Sequence, residues 1–88
     1  MIYNDFFEWD ETKNNKNILK HGVNFIEAST VFRDTQAVIL DDISHSYDED
    51  RFIIIGVSEK QRMLIVCHCY RGNDELIRII SARKANKE

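Results

Sequence analysis

The sequence predicts a small α+β domain, with two short helices followed by an antiparallel meander of strands and both helices on one face of the sheet. Two capped helical segments, one from Asp10 to about Lys20 and one from Asn24 onward, fill the first third of the chain. Four apolar runs of strand length then occupy residues 37–83, separated by short polar connections. The 88 residues contain no proline and only three glycines. That length suits one domain, here residues 1–88, with no flexible linker inside it.

Each element has a local reason. Residues 2–9 (IYNDFFEW) are aromatic-rich and read as a first strand. Asp10 is a good N-cap, and Glu11 sits in the first turn, where the helix dipole favours an anion. Ile18 and Leu19, the only apolar residues of this helix, lie on one side. At about 100° per residue, Lys13, Lys16, Asn17 and Lys20 share the opposite side. Gly22 is the expected residue after the helix end, free to take the left-handed conformation. Asn24 and Glu27 form an Asn-x-x-Glu variant of the capping box. The short helix they open places Phe25, Ala28 and Phe32 at core spacing.

Residues 37–41 (AVILD) read as a strand, and residues 42–50 (DISHSYDED) as an acidic loop. Residues 51–58 and 62–71 are strands joined by a short hairpin connection, Glu59-Lys60-Gln61. Residues 72–74 turn the chain into a last strand over 75–83. The order is β-α-α-β-β-β-β, an α+β layout that leaves the second sheet face partly open. In the last strand, strict alternation groups Ile77, Ile79, Ser81 and Arg83 on one face and Leu76, Arg78 and Ile80 on the other. Arg78 is therefore a charge inside an apolar strand. Burying it unpaired is very costly, so it is either ion-paired or exposed in a groove. A short tail is expected from about residue 84.

Net charge is −3, but it is unevenly spread. Residues 1–50 hold 11 acidic and 4 basic side chains, and residues 51–88 hold 4 acidic and 8 basic. Such asymmetry places a basic surface on an acidic protein. Cys67 and Cys69 are the only cysteines. They are too close for a comfortable disulfide on a strand, and no disulfide framework is implied. The N-terminus lacks a basic region followed by an apolar run, and nothing approaches the roughly 20 apolar residues of a membrane span. A cytoplasmic protein is expected.

The residues bear on three chemistries. Cys67, His68, Cys69, His21 and His45 are potential metal ligands. The Cys-His-Cys run splits its side chains between faces, however, and structural zinc sites use wider Cys spacing. Neither a metal nor any other cofactor is expected. A cysteine nucleophile needs an activated thiolate, and an apolar strand raises thiol pKa instead. The remaining constellation is basic: Lys13, Lys16, Lys20 and His21 from the first helix, with Arg51, Arg78 and Arg83 from the strands. RNA cleavage through the 2′-OH needs proton transfer and stabilisation of charge on the phosphate, and no metal in principle. A histidine such as His21 suits proton transfer, because the unperturbed imidazole changes charge near neutral pH. Arginines donate bidentate hydrogen bonds to phosphate. Trp9, Tyr3 or Tyr70 offers a stacking face for an unpaired base. Each residue also has a plainer role: solvated helix lysines, a histidine at a helix end, Arg51 paired with Glu49 or Asp50, Trp9 in the core.

Residues 7–32, 48–58 and 77–85 resemble the BrnT family, the toxins of BrnT/BrnA toxin–antitoxin pairs. The specific features are Lys-His-Gly-Val-Asn-Phe at 20–25 followed by Glu27-Ala28, together with Arg-Ile-Ile-Ser-Ala-Arg-Lys-Ala at 78–85. The resemblance implies a small RelE-like fold and a metal-independent ribonuclease that inhibits translation. It also implies a cognate antitoxin of BrnA type, which neutralises the toxin in a heterotetramer and alone contacts operator DNA. Its polar positions match Trp9, Lys13, Asn17, Lys20, His21, Arg51, Arg78 and Arg83. On this basis Lys20, His21, Arg51, Arg78 and Arg83 are expected to line a catalytic groove. Trp9, Lys13 and Asn17 are expected to bind RNA beside it. The family usually continues after this match through a further charged helix, whereas only residues 86–88 follow it here. The alternative function is a binding module for antitoxin or RNA that has lost cleavage.

Overall fold

The structure, a computed structural model, describes residues 4, 6–43, 49–73 and 75–85. Strand β1 (Phe7–Glu8) leads into helices α1 (Glu11–His21) and α2 (Phe25–Thr30), then a 3₁₀ turn (Val31–Arg33). Strands β2 (Val38–Asp41), β3 (Phe52–Val57), β4 (Met63–Arg71) and β5 (Leu76–Lys84) follow. They form one five-stranded sheet in the order β1-β5-β4-β3-β2. The expected antiparallel meander holds for β2 through β5. The sheet as a whole is mixed, because β1 pairs parallel with β5, Phe7 opposite Ile77 and Glu8 opposite Arg78. Alternation within a segment carries no information on how it pairs with a strand seventy residues away. The first strand is also shorter than expected, because Trp9 turns into the core and Asp10 already caps α1. Residues 2, 3 and 5 of that expected strand, and 86–88 of the expected tail, lie outside the described residues.

Both helix caps form as the sequence requires. The Asp10 carboxylate accepts from the Lys13 N–H, and Gly22, at φ 70°, donates its N–H to the Ile18 carbonyl. The Asn24 side chain accepts from the Ile26 N–H. Glu27 does not complete the capping box. It is buried, accepts from the Ser58 hydroxyl at 2.6 Å, and forms an ion pair with Arg62. The Arg62 hydrogen bond is the main reason the Glu27 carboxyl titrates below its usual range.

The orientation of α1 reverses its apparent amphipathicity. Ile18 and Leu19 are exposed, while Asn14 and Asn17 are buried. Asn14 accepts from the Phe25 N–H at 2.8 Å, joining α1 to α2. Asn17 donates to the carbonyls of Val23 and Ala82 and accepts from the Ala82 N–H, at 2.8–3.1 Å. It thus ties α1 to β5 at Ala82, beyond the residues of β5 that pair with β1. Trp9, Val23, Phe25, Ala28 and Val31 then pack on Ile54, Leu64, Val66, Ile79 and Ala82 of the sheet. The 3₁₀ turn approaches β3 so closely that a Cβ on Gly56 would lie 2.9 Å from Ala37 Cβ and 3.0 Å from Val31 Cγ1.

His68 is fully buried on this face, edge-on to the rings of Phe32 and Tyr70. Burial pushes its pKa below the ordinary 6.5. The unfolded chain therefore takes up a proton at a pH where the folded chain does not. Stability from this residue is present above pH 6.5 and is lost as pH falls toward the lower folded value. Melting temperature measured from pH 8 to pH 5 should fall on the acid side for the wild type. His68→Leu should flatten that part of the curve, and an unchanged slope would show that another group controls it.

A β-bulge decides which side chains share the open face. The β4–β5 register shifts between Cys67 and His68: Cys67 pairs with Ser81, His68 with Ile79, and Ile80 is the extra residue. Ala82 and Ile79 thereby both reach the core face. Arg83, opposite Ile65, and Arg78, opposite Cys69, both lie on the other face. Strict alternation had separated these two arginines, and the inserted residue reunites them.

Candidate active site on the open face of the sheet

The face away from α2 carries a hollow of about 340 Å³. Arg51, Ile53, Ile65, Cys67, Ile80, Ser81, Arg83 and Asp42 line it. Ile80 and Ser81 are consecutive, yet both reach it because of the bulge. Three isoleucines form an apolar floor, and Arg51 and Arg83 come from the flanking strand positions. A cationic hollow with an apolar floor strengthens interactions with an anion, because little water screens them.

The arginines differ in their partners. Arg83 is exposed and makes no ion pair with any described residue. Arg51 approaches Glu49 at 3.7 Å, and Glu49 also accepts from Arg71 at 3.2 Å. Arg78 bonds to Glu8 at 2.7 Å across the parallel β1–β5 pair, with a third of its side chain still exposed. Its strand position is thus resolved by both expected means, pairing and partial exposure.

Helix α1 supplies a second basic element. Glu11 and Asn14 face α2: the Asn14 amide reaches Glu11, in the first turn of α1, and Asn24, the cap of α2, at 3.4 Å. At about 100° per residue, Lys13, Lys16 and Lys20 lie on the opposite flank of α1, turned away from α2 and the core. His21 continues the inward line of Asn14 and Asn17 and is half-buried at the helix end. Neither Lys20 nor His21 lines the hollow among its described residues.

The structure therefore brings Arg51 and Arg83 together and sets Arg78 on the same face. It does not present Trp9 or Asn17 to RNA. Trp9 is 1% exposed, packs edge-on against Phe25 and donates its indole N–H to Glu11. Asn17 is held by three hydrogen bonds inside the fold. Both positions serve the architecture beneath the site. Tyr3 and His45 lie outside the described residues. Tyr70 stands on the helix-covered face beside Phe52 and His68.

The cysteines are small, unreactive groups. Cys67 donates its thiol to Asp42 Oδ2 at 3.5 Å, and burial together with that carboxylate pushes its pKa up to about 11. It is a thiol at neutral pH and cannot serve as a nucleophile there. Asp42 itself was hidden in sequence within an acidic run that reads as a solvated loop. Its signal was position: it directly follows an edge strand, so its carboxylate is carried to the sheet face.

A family model described as ribonuclease toxin, BrnT, of type II toxin-antitoxin system matches residues 9–88. Among solved structures, the chain is similar to the 1.1 Å crystal structure of the Brucella abortus ribonuclease toxin BrnT. The identity is 26%, the match covers 96% of this chain and 100% of that one, and the TM-score is 0.71. No curated protein matches the chain.

Proposed function

This chain belongs to the BrnT family of ribonuclease toxins of type II toxin–antitoxin systems, and we propose that it cleaves RNA on the open face of its sheet, without a metal, and so inhibits translation. One observation carries the reading: the bulge in β5 gathers Arg78 and Arg83 on one face, and Arg83 meets Arg51 at a single hollow. Arg51 and Arg83 hold the scissile phosphate and stabilise the charge that grows on it. Arg78, oriented by Glu8, binds an adjacent phosphate. Lys13 and Lys20 hold the strand along α1. His21 lies off the hollow and is given no proton-transfer role. The fold is a RelE-like domain over residues 1–88.

Membership of the family brings a cognate antitoxin. We infer one of BrnA type, forming a heterotetramer with the toxin and contacting operator DNA in its place. Edge strand β2 is the docking surface this reading favours. Val38, Ile39 and Leu40 are each about half exposed, and the outer edge of β2 pairs with no strand among the described residues. No helix among the described residues is long and apolar enough to cross a membrane.

The test is cleavage of total cellular RNA with EDTA present, by wild type, Arg78→Ala and His21→Ala, alone and in translating extract. Cleavage by wild type and His21→Ala, with Arg78→Ala impaired while still folded, is expected. Intact RNA in every wild-type reaction would move the assignment to a binding module.

A further inference from the structure

We propose that Ser81 is a substrate-binding residue of the cleavage site, its hydroxyl donating a hydrogen bond to a non-bridging oxygen of the scissile phosphate. This rests on the reading of the open face as the RNA-cleaving site, and it adds an uncharged donor to the arginines there. Ser81 carries the one hydroxyl among the described residues lining the hollow. The residue is exposed, and that hydroxyl makes no hydrogen bond to any described residue.

Its place is set by the sheet. Ser81 pairs with Cys67, which pairs in turn with Ile53 on β3. The next row on the same face is Arg83, Ile65 and Ile55. On the other side of the bulge, Arg78 stands opposite Cys69. Rows that share a face are about 7 Å apart along a strand. Alternation alone puts Ser81 with Arg83, and the extra residue, Ile80, brings Arg78 round to their face. Ser81 therefore lies between the two arginines of its own strand. A phosphate drawn in by this cluster comes to rest over one of the smallest polar side chains, which leaves it depth.

The other groups of the floor leave this role open. Ile53, Ile65 and Ile80 offer no hydrogen bond, and the Cys67 thiol donates to Asp42. An arginine meets a phosphate through a planar fork, on one side of the tetrahedron. A hydroxyl rising from the floor reaches an oxygen from another direction. The surrounding isoleucines keep water away, so this bond strengthens as charge grows on the phosphate. The hydroxyl keeps its proton throughout.

The test compares wild type and Ser81→Ala in single-turnover cleavage of one RNA oligonucleotide that the wild type cuts. It repeats the comparison on each of the two phosphorothioate diastereomers at the cut. Ser81→Ala should fold normally and slow cleavage of the ordinary RNA by about tenfold. Sulfur is a weak acceptor. The diastereomer that turns sulfur toward Ser81 should therefore slow the wild type. Ser81→Ala should shrink that slowing by about threefold or more, since the bond is already missing. The other diastereomer should slow both proteins alike. A merely structural role would not single out one diastereomer. Cleavage by Ser81→Ala within about twofold of wild type overturns the proposal and leaves the nuclease reading intact. So does a slower Ser81→Ala whose response to both diastereomers matches that of wild type. Wild type that leaves all RNA intact overturns the nuclease reading, and the proposal with it.

Discussion

Arg83→Ala should reduce RNA cleavage by roughly 10²- to 10³-fold, the usual effect of removing one preorganised donor to a developing oxyanion. Melting temperature should barely move. The two expectations come from the same observation. Arg83 is exposed and makes no ion pair with a described residue, so the folded chain depends little on it. Arg83 nevertheless lines the hollow together with Arg51, where phosphate charge would otherwise meet an apolar floor. Arg83→Lys should recover only part of the loss, because an ammonium cannot reproduce the planar bidentate fork. Cleavage rate and thermal melting on the same preparations decide the matter. Full activity in Arg83→Ala would remove the hollow from the mechanism.

Asn17→Ala should have the opposite profile, a large loss of stability at a residue that touches no substrate. The amide satisfies two buried carbonyls and one buried N–H, and alanine leaves all three without it. The loss should be roughly 3–4 kcal/mol, most of it the penalty of unsatisfied buried groups. For a domain of this size that lowers the melting temperature by on the order of 15 °C. Asn17→Asp should be at least as damaging despite its nearly identical shape. A carboxylate can still accept from Ala82 N–H but turns a negative charge toward two carbonyl oxygens. If thermal melting shows Asn17→Asp close to wild type, the hydrogen-bond account of this position fails.

These two residues mark how much of the site was legible in sequence. Both belong to the set that the family resemblance singled out, yet one lies in the hollow and the other beneath it. Lys13, Lys20 and Arg83 are exposed as charged residues tend to be, so their location followed from residue type. Trp9 and Asn17 carry polar or stacking groups that suit RNA equally well. Only their burial shows that those groups face the protein's own backbone and side chains. Asp42 was invisible for the converse reason. Its neighbours in sequence are polar and acidic, and its neighbours in space are Cys67 and Arg51, supplied by other strands.

By itself the sequence determined the local structure: two helices with their Asp10 and Asn24 caps, the Gly22 stop, and four strands whose apolar runs survive in the sheet. Those features depend on interactions within a few residues, where side-chain and backbone chemistry is fixed by adjacency. Tertiary structure alone decided the parallel pairing of β1, the burial of asparagines in place of Ile18 and Leu19, and the register shift at Ile80. Each is a choice between partners distant in the chain, made by which backbone groups must be satisfied and which volumes filled. The bulge is the clearest instance. A period of two separates Arg78 from Arg83, and one unpaired residue, accommodated by packing on β4, joins them in a single surface.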